Sequence, residues 1–313
     1  MEINLTVVRR TVTALATACG VAALFLWAPL WIVFPVLLAL SVLCQLEFYA
    51  MARRYEPLTV AGTLLGVAWM AGVWFYSGST QLVIIFESVR AAGMAIPVVV
   101  LFGLAMLVLF SARRSNPIGS LAVTILGFLY VPFLMSFFLL YVDAGIAKAA
   151  SCSSTGDDLV SVTRSGLYAL GALLAVTKFS DMGGFALGLA FGKHKMCPSI
   201  SPKKSWEGLG GSILAASLMA MLFCWMSKEN EWGRHFEFWQ IVSYPVAAAG
   251  GALIACVGTL GDLVESRFKR ECGVKDSSSF MPAGMGGFLD MFDSILFVPA
   301  LMYPVFSSAG YFV

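Results

Sequence analysis

Between Gly261 and Ser294 the chain reads GDLVESRFKRECGVKDSSSFMPAGMGGFLDMFDS. Ten of these residues are charged, yet the flanking runs, AAAGGALIACVGTL before and ILFVPALMYPVF after, are apolar. One Asp or Lys at the centre of a membrane helix costs roughly 2.5 to 3.5 kcal/mol, so charges in this number beside apolar helices point to an ion or a phosphate that they hold. Asp262, Glu265, Ser266, Lys269 and Arg270 fall at i, i+3, i+4, i+7 and i+8, which puts them on one helical face, with Leu263, Val264 and Phe268 on the other side. Asp290, Asp293 and Ser294 repeat the spacing after a loop, so two helices each offer a polar face to one site.

The rest of the chain supplies the setting. Of 313 residues, 59% are hydrophobic and 12% charged, with a mean hydropathy of +0.85, which excludes an ordinary soluble core. About 20 apolar residues are needed per membrane helix. On that measure spans fall near 11–28, 30–50, 58–77, 93–112, 117–142, 166–190, 208–227, 241–263 and 287–307. The expected fold is therefore an all-α, polytopic transmembrane bundle of about nine spans; reading Gln81–Met94 as an extension or an interfacial helix leaves eight as the alternative. Residues 1–115 are expected to form N-terminal membrane helices and residues 116–313 a C-terminal membrane region that carries the charged segments. Seven cysteines form no CxxC pair and read as small buried thiols. No cleavable signal peptide stands out.

Orientation follows from the bases in short loops. Threading nine spans brings Arg9 and Arg10, Arg53 and Arg54, Arg113 and Arg114, Lys193 to Lys204, and Lys269 to Lys275 to one side, expected to be cytoplasmic with the N-terminus inside. The same threading brings a second charged segment, Lys178–Glu207, to the face that carries Asp262–Asp293. Within it Gly184, Gly188 and Gly192 recur every four residues, a spacing that lets helices approach closely in lipid. Lys178 and Asp181 are charges inside a span, and an intramembrane acid is a functional candidate by default. Ser201, Pro202, Lys203, Lys204 and Ser205 read as a proline-held turn entering a helix, where two lysines suit phosphate oxygens. Positive-inside bias alone accounts for lysines but not for Asp262, Asp276, Asp290 and Asp293 among them. Carboxylates interleaved with bases suit a divalent cation and the phosphates it binds. His194 and His235 are not read as metal ligands, and no Walker A or Rossmann glycine pattern is present.

These residues carry a resemblance. Gly261, Asp262, Leu263, Ser266, Phe268, Lys269, Arg270, Lys275, Asp276, Ser278, Pro282, Gly286, Gly287, Asp290 and Asp293 resemble the C-terminal signature of the phosphatidate cytidylyltransferases, the CDP-diacylglycerol synthases. Asp181 with Gly183 and Gly184, Phe191 with Gly192 and Lys193, and Ser201 through Gly208 resemble that family's second conserved region, so the likeness covers roughly residues 120 to 300. The chain departs from the family pattern at Pro282–Gly287, where Met285 stands for the usual His, and at Met291, which stands for a usual Arg. Every carboxylate of the motif survives, so the two polar groups are read as dispensable.

The resemblance implies a nucleotidyltransferase that joins CTP and phosphatidic acid into CDP-diacylglycerol and pyrophosphate for phospholipid synthesis. It implies Mg²⁺ held principally by Asp262 and Asp290, with Asp293 and Asp276 as further ligands or their neighbours. Lys203, Lys204, Lys269, Arg270 and Lys275 would hold phosphate oxygens, and Ser201, Ser205 and Ser266 would add hydrogen bonds. Asp181 is a site candidate that either binds substrate or orients Lys178. A second, monovalent cation and a homodimer stay open; no nucleic-acid partner is expected, and the setting implied is the inner membrane of a bacterium. The nearest rival reading is a CTP-dependent lipid kinase of the dolichol or phytol kinase type. A transporter or a catalytically silent lipid-binding protein is the third.

Overall fold

A computed structural model of the protein describes residues 30–76, 116–151, 157–229, 237–274, 277 and 287–308. Helix α1 is Leu30–Met51 and α2 is Thr59–Tyr76. Helix α3, Pro117–Phe128, starts with proline in its first turn and with the Asn116 side chain accepting from Gly119 N at 2.9 Å, which stops the chain from extending the helix backward. It runs through a wider π turn, Leu129–Phe133, into α4, Leu134–Ser151. Pro132 lies in that turn, where its missing N–H breaks the regular ladder. Helix α5 is Asp157–Phe191, followed by a hairpin of β1, Lys195–Cys197, and β2, Ser201–Ser205, and then α6, Trp206–Glu229. A short α7, Glu237–Ile241, precedes α8, Tyr244–Glu271. The C-terminal part is α9, Phe288–Phe292, and α10, Phe297–Ser308.

Six stretches among the described residues are long and apolar enough to cross a membrane: Trp31–Met51, Pro117–Gly145, Arg164–Phe191, Trp206–Glu229, Tyr244–Glu271 and Phe288–Ser307. Thr59–Phe75 is a shorter apolar helix. These seven fall on seven of the nine predicted spans, and the other two, 11–28 and 93–112, lie outside the described residues. The chain is a multi-pass, helical membrane protein. Lipid offers the backbone no hydrogen bonds, so apolar runs of this length close their own ladder as helices.

Two details differ from the expectation. The last predicted span is broken into α9 and α10, because the Asp293 carboxylate takes the Ser294 N–H at 2.6 Å and competes with the helical ladder. The lysine-bearing segment is a two-stranded hairpin and not a simple turn. As the helical face from Asp262 to Arg270 requires, the 241–263 span continues as helix to Glu271, where Gly273 at φ +72° closes it and its N–H reaches Arg270 O at 3.1 Å. At 1.5 Å per residue, the 28 residues of α8 span roughly 42 Å, against a hydrocarbon core of roughly 30 Å. It is therefore long enough for its charged last two turns to lie beyond the hydrocarbon.

Packing fixes what stands beside those turns. Tyr141, Phe138, Met135, Leu170, Leu173 and Phe306 are fully buried between α4, α5 and α10. Polar contacts join α1 to its neighbours: Gln45 Nε2 donates to Gly62 O at 2.9 Å, and the Tyr49 hydroxyl donates to Thr124 O at 2.8 Å. Such contacts stabilise helix association in lipid by about 0.6 kcal/mol each. α5 and α6 meet along small residues, with Gly184 and Gly188 facing Ser212 and Gly208. Where α8 crosses the chain after α9, a Cβ at Gly261 would stand 2.6 Å from Asp293 O. Only a glycine at that position allows the two backbones to approach so closely.

Candidate active site

The end of α8 presents the face its spacing predicts, and the aromatic side of the same turns anchors it. Phe268 packs edge-on against Phe48 of α1 at 5.9 Å and against Tyr130 of the π turn at 5.4 Å. With the helix so fixed, Asp262, Glu265, Ser266 and Lys269 point to the region where β2, α5 and α9 meet.

Three carboxylates come together there. Asp262, Glu265 and Asp293 each offer an oxygen, and these oxygens lie within 4.8 Å of one another. Glu265 has no exposed side-chain surface, and its Oε1 is buried without a hydrogen-bond partner among the described residues. Three like charges at this separation repel strongly in a partly dry site, and an orphaned carboxylate oxygen is a group that a cation would satisfy. Hard oxygen donors of this kind suit Mg²⁺.

Lysines bind the outer side of the cluster. Lys204 Nζ stands 2.6 Å from Asp262 Oδ2 and donates to Thr259 O at 3.0 Å. Lys269 Nζ lies 2.6 Å from Glu265 Oε2 and 2.9 Å from Asp290 Oδ1. The other Asp290 oxygen accepts from Gly287 N at 2.8 Å and Ser277 N at 3.3 Å, so Asp290 holds the start of α9 and pairs with Lys269. Ser266 Oγ donates to Asp262 Oδ1 at 3.4 Å. On α5, Lys178 Nζ reaches Asp181 Oδ2 at 3.1 Å, Ser294 Oγ at 3.1 Å and Met291 O at 3.3 Å. Ser294 Oγ in turn donates to Asp181 Oδ2 at 2.9 Å. The Lys178–Asp181 pair thus grips the turn that carries Asp293. Five carboxylates, Asp181, Asp262, Glu265, Asp290 and Asp293, face three ammonium groups, Lys178, Lys204 and Lys269, leaving a formal excess of two negative charges. That is the charge of one divalent cation.

The other predicted residues are placed differently. Ser205 is buried and accepts from Gly208 N at 3.1 Å, which caps α6 and sets the direction in which β2 delivers Lys204. Lys203 is exposed, Ser201 half-buried, and Arg270, exposed, donates to Ile200 O at 3.4 Å. Lys275 and Asp276 lie outside the described residues. Glu265 is the residue that the nomination by sequence passed over. Its signal was present, since it lies one turn from Asp262 on the same face.

An apolar helix bundle with carboxylates and lysines gathered at its boundary is the arrangement of an integral membrane enzyme that handles phosphorylated substrates. The chain belongs to the cytidylyltransferase family, whose model matches residues 8–309. It is 32% identical over 311 residues to the phosphatidate cytidylyltransferase of Haemophilus influenzae, covering 97% of this chain and 99% of that protein. It is 41% identical over 120 residues to the phosphatidate cytidylyltransferase of Mycobacterium bovis, covering 37% of this chain and 34% of that one. A third likeness, 39% over 135 residues, is to the phosphatidate cytidylyltransferase of Staphylococcus epidermidis, with 43% of this chain and 47% of the relative covered. The chain is a nucleotidyltransferase.

Proposed function

We propose that this protein transfers the cytidylyl group of CTP to phosphatidate, giving CDP-diacylglycerol and pyrophosphate, at a site that opens to the cytoplasm of a bacterial inner membrane. The observation that carries the reading is the meeting of Asp262, Glu265 and Asp293 within 4.8 Å, with Lys204 and Lys269 bound to two of them. The long likeness to the Haemophilus protein supports the same substrates.

The reaction forms a bond from a phosphate oxygen of phosphatidate to the α-phosphorus of CTP. It breaks the bond from that phosphorus to the α–β bridging oxygen, whose electron pair leaves with pyrophosphate. The attacking oxygen is already anionic, so no side chain need deprotonate it. The protein's task is to bring two polyanions together and to stabilise negative charge on the leaving group. Mg²⁺, held by Asp262, Glu265 and Asp293, would supply charge neutralisation to the triphosphate. Lys204 and Lys269 are tethered to these acids and exchange part of that pairing for phosphate oxygens when substrate binds. Asp290 keeps Lys269 in place, and Lys178 with Asp181 keeps the Asp293 turn in place. Lys203 and Arg270, exposed at the rim, meet the incoming nucleotide.

The test uses purified protein in detergent with phosphatidate and CTP labelled separately at the α and γ phosphorus. The α label is expected in the lipid and the γ label in pyrophosphate, in equal amounts. The γ label in lipid, with CDP released, would make the protein a lipid kinase; no label in lipid would make it a silent binder. Binding of Mn²⁺, read by its paramagnetic resonance signal, tests the ligand set. Asp262→Asn, Glu265→Gln and Asp293→Asn should each weaken it by about tenfold or more. If Asp290→Asn weakens it as much while Glu265→Gln does not, the ion belongs to Asp262 and Asp290.

A further inference from the structure

Glu47 is the one charged residue in the 22 residues of α1, and 2% of it is exposed. It lies far in sequence from the acids and lysines of the site, and cytidylyl transfer gives it no chemical role. Its carboxylate nevertheless reaches the signature segment: Oε2 accepts from Leu289 N at 2.9 Å, across 242 residues of chain. Oε1 is buried with no hydrogen-bond partner among the described residues.

The place of that contact matters. α9 has five residues, so its first-turn N–H groups have few helical partners and must find others. Two carboxylates answer them: Asp290 takes Gly287 N at 2.8 Å, and Glu47 takes Leu289 N. Leu289 itself is fully buried. Phe48, the next residue of α1, packs against Phe268 of α8 at 5.9 Å and Tyr130 at 5.7 Å. α1 is thereby fixed to the helix that carries Asp262 and Glu265, while its carboxylate holds the backbone that carries Asp290 and Asp293. It spans the two halves of the acid cluster without touching the cluster's lysines.

We propose that Glu47 is a positioning residue for cytidylyl transfer, holding α9 in register with α8 through its hydrogen bond from Leu289 N. An acceptor is what the geometry asks for, and a charge-assisted bond is about twice as strong as a neutral one. Displacement of a reacting group by about 1 Å costs on the order of a hundredfold in rate. A side chain that only filled space in α1 would be apolar, and one that bound substrate would not be buried against the start of α9.

The rate arm of the test rests on the cytidylyltransferase reading, whereas the structural arm does not. Full-length Glu47→Ala and Glu47→Gln are compared with the wild type in detergent, by steady-state kinetics and by amide hydrogen exchange of the peptide covering residues 287–294. Glu47→Ala should lose roughly thirtyfold or more in kcat with KM for CTP within about twofold, and exchange in 287–294 should accelerate at least tenfold while other helices keep their protection. Glu47→Gln, which keeps an acceptor at the same reach, should restore both to within about threefold. Wild-type kcat and exchange in Glu47→Ala would overturn the proposal, as would acceleration spread over the whole chain or a Glu47→Gln as impaired as Glu47→Ala. A wild-type protein with no cytidylyltransferase activity would sink the reading above and leave the exchange comparison intact.

Discussion

Removing the charge of Lys269 is the sharpest perturbation the site offers. Its ammonium is 14% exposed and stands 2.6 Å from Glu265, which has no exposed side-chain surface, and 2.9 Å from Asp290, at 17%. With an effective dielectric of about 20, each contact is worth roughly 6 kcal/mol of gross attraction. Desolvation of the three ions offsets most of that sum, and the quantity that survives is the penalty of leaving acids unpaired. Breaking one buried pair by removing a partner costs about 3 to 5 kcal/mol. Lys269→Met keeps the aliphatic stem and deprives two carboxylates at once, so the upper end of that range is expected. For a chain of this size the melting midpoint should fall by on the order of 10 °C. The assay is unfolding followed by tryptophan fluorescence in detergent, at one scan rate and with a chelator present so that no divalent ion replaces the lysine. The double variant Lys269→Met with Glu265→Gln should recover about half the loss, because one uncompensated charge is gone. A single variant that melts like the wild type, or a double variant that melts lower still, would refute the assignment of Lys269 as the counter-ion of this pair.

Gly261→Ala puts a methyl group 2.6 Å from Asp293 O, so it should destabilise by about 1 to 3 kcal/mol and lower kcat at least tenfold. Gly250→Ala, whose added carbon meets no heavy atom within 4 Å, should leave the rate unchanged and raise stability by about 0.5 to 1 kcal/mol; melting and rate measurements on both variants check the contrast. Met285→His should change the rate by less than about tenfold, roughly 1.4 kcal/mol in barrier, since the nucleophile needs no base; a much larger gain in a steady-state assay would contradict that. Single cysteines at Ser199 and Ser279, in a background without exposed native thiols, should react with an impermeant maleimide only once the inner face is opened, and one at Thr155 from outside. Labelling of the first two from opposite faces would break the shared-face topology.

The spans were legible in the sequence because lipid leaves the backbone no alternative: a run such as AAAGGALIACVGTL must close its own hydrogen bonds, and seven described helices stand where hydropathy put them. The polar face of α8 was legible because its period is that of the helix. The break after α9 was not, since hydropathy averages over a window in which the Asp293 carboxylate's hold on Ser294 N is invisible. The hairpin escaped for a similar reason: strands of three and five residues with an irregular register fall below any periodic signal, and Pro202 reads as turn.

Which carboxylate does what was the least legible part, and Glu265 and Glu47 show why. Glu265 lies four residues before Lys269, a spacing that by itself describes an ordinary helix-surface ion pair. Lys269 also binds Asp290, 21 residues away, and that tertiary choice leaves Glu265 with a spare buried oxygen beside Asp262 and Asp293. No spacing rule contains it. Glu47 has no charged neighbour within its helix, so a search for clusters passes over it. Yet isolation in an apolar helix is the more costly circumstance, because no counter-ion in the same helix offsets the desolvation, and a carboxylate that persists there needs a specific partner. In this chain that partner is the Leu289 N–H of the segment whose acids complete the site. A lone acid in a membrane helix therefore carries more information per residue than one more acid in a charged loop, because its persistence there requires a particular group for it to hold.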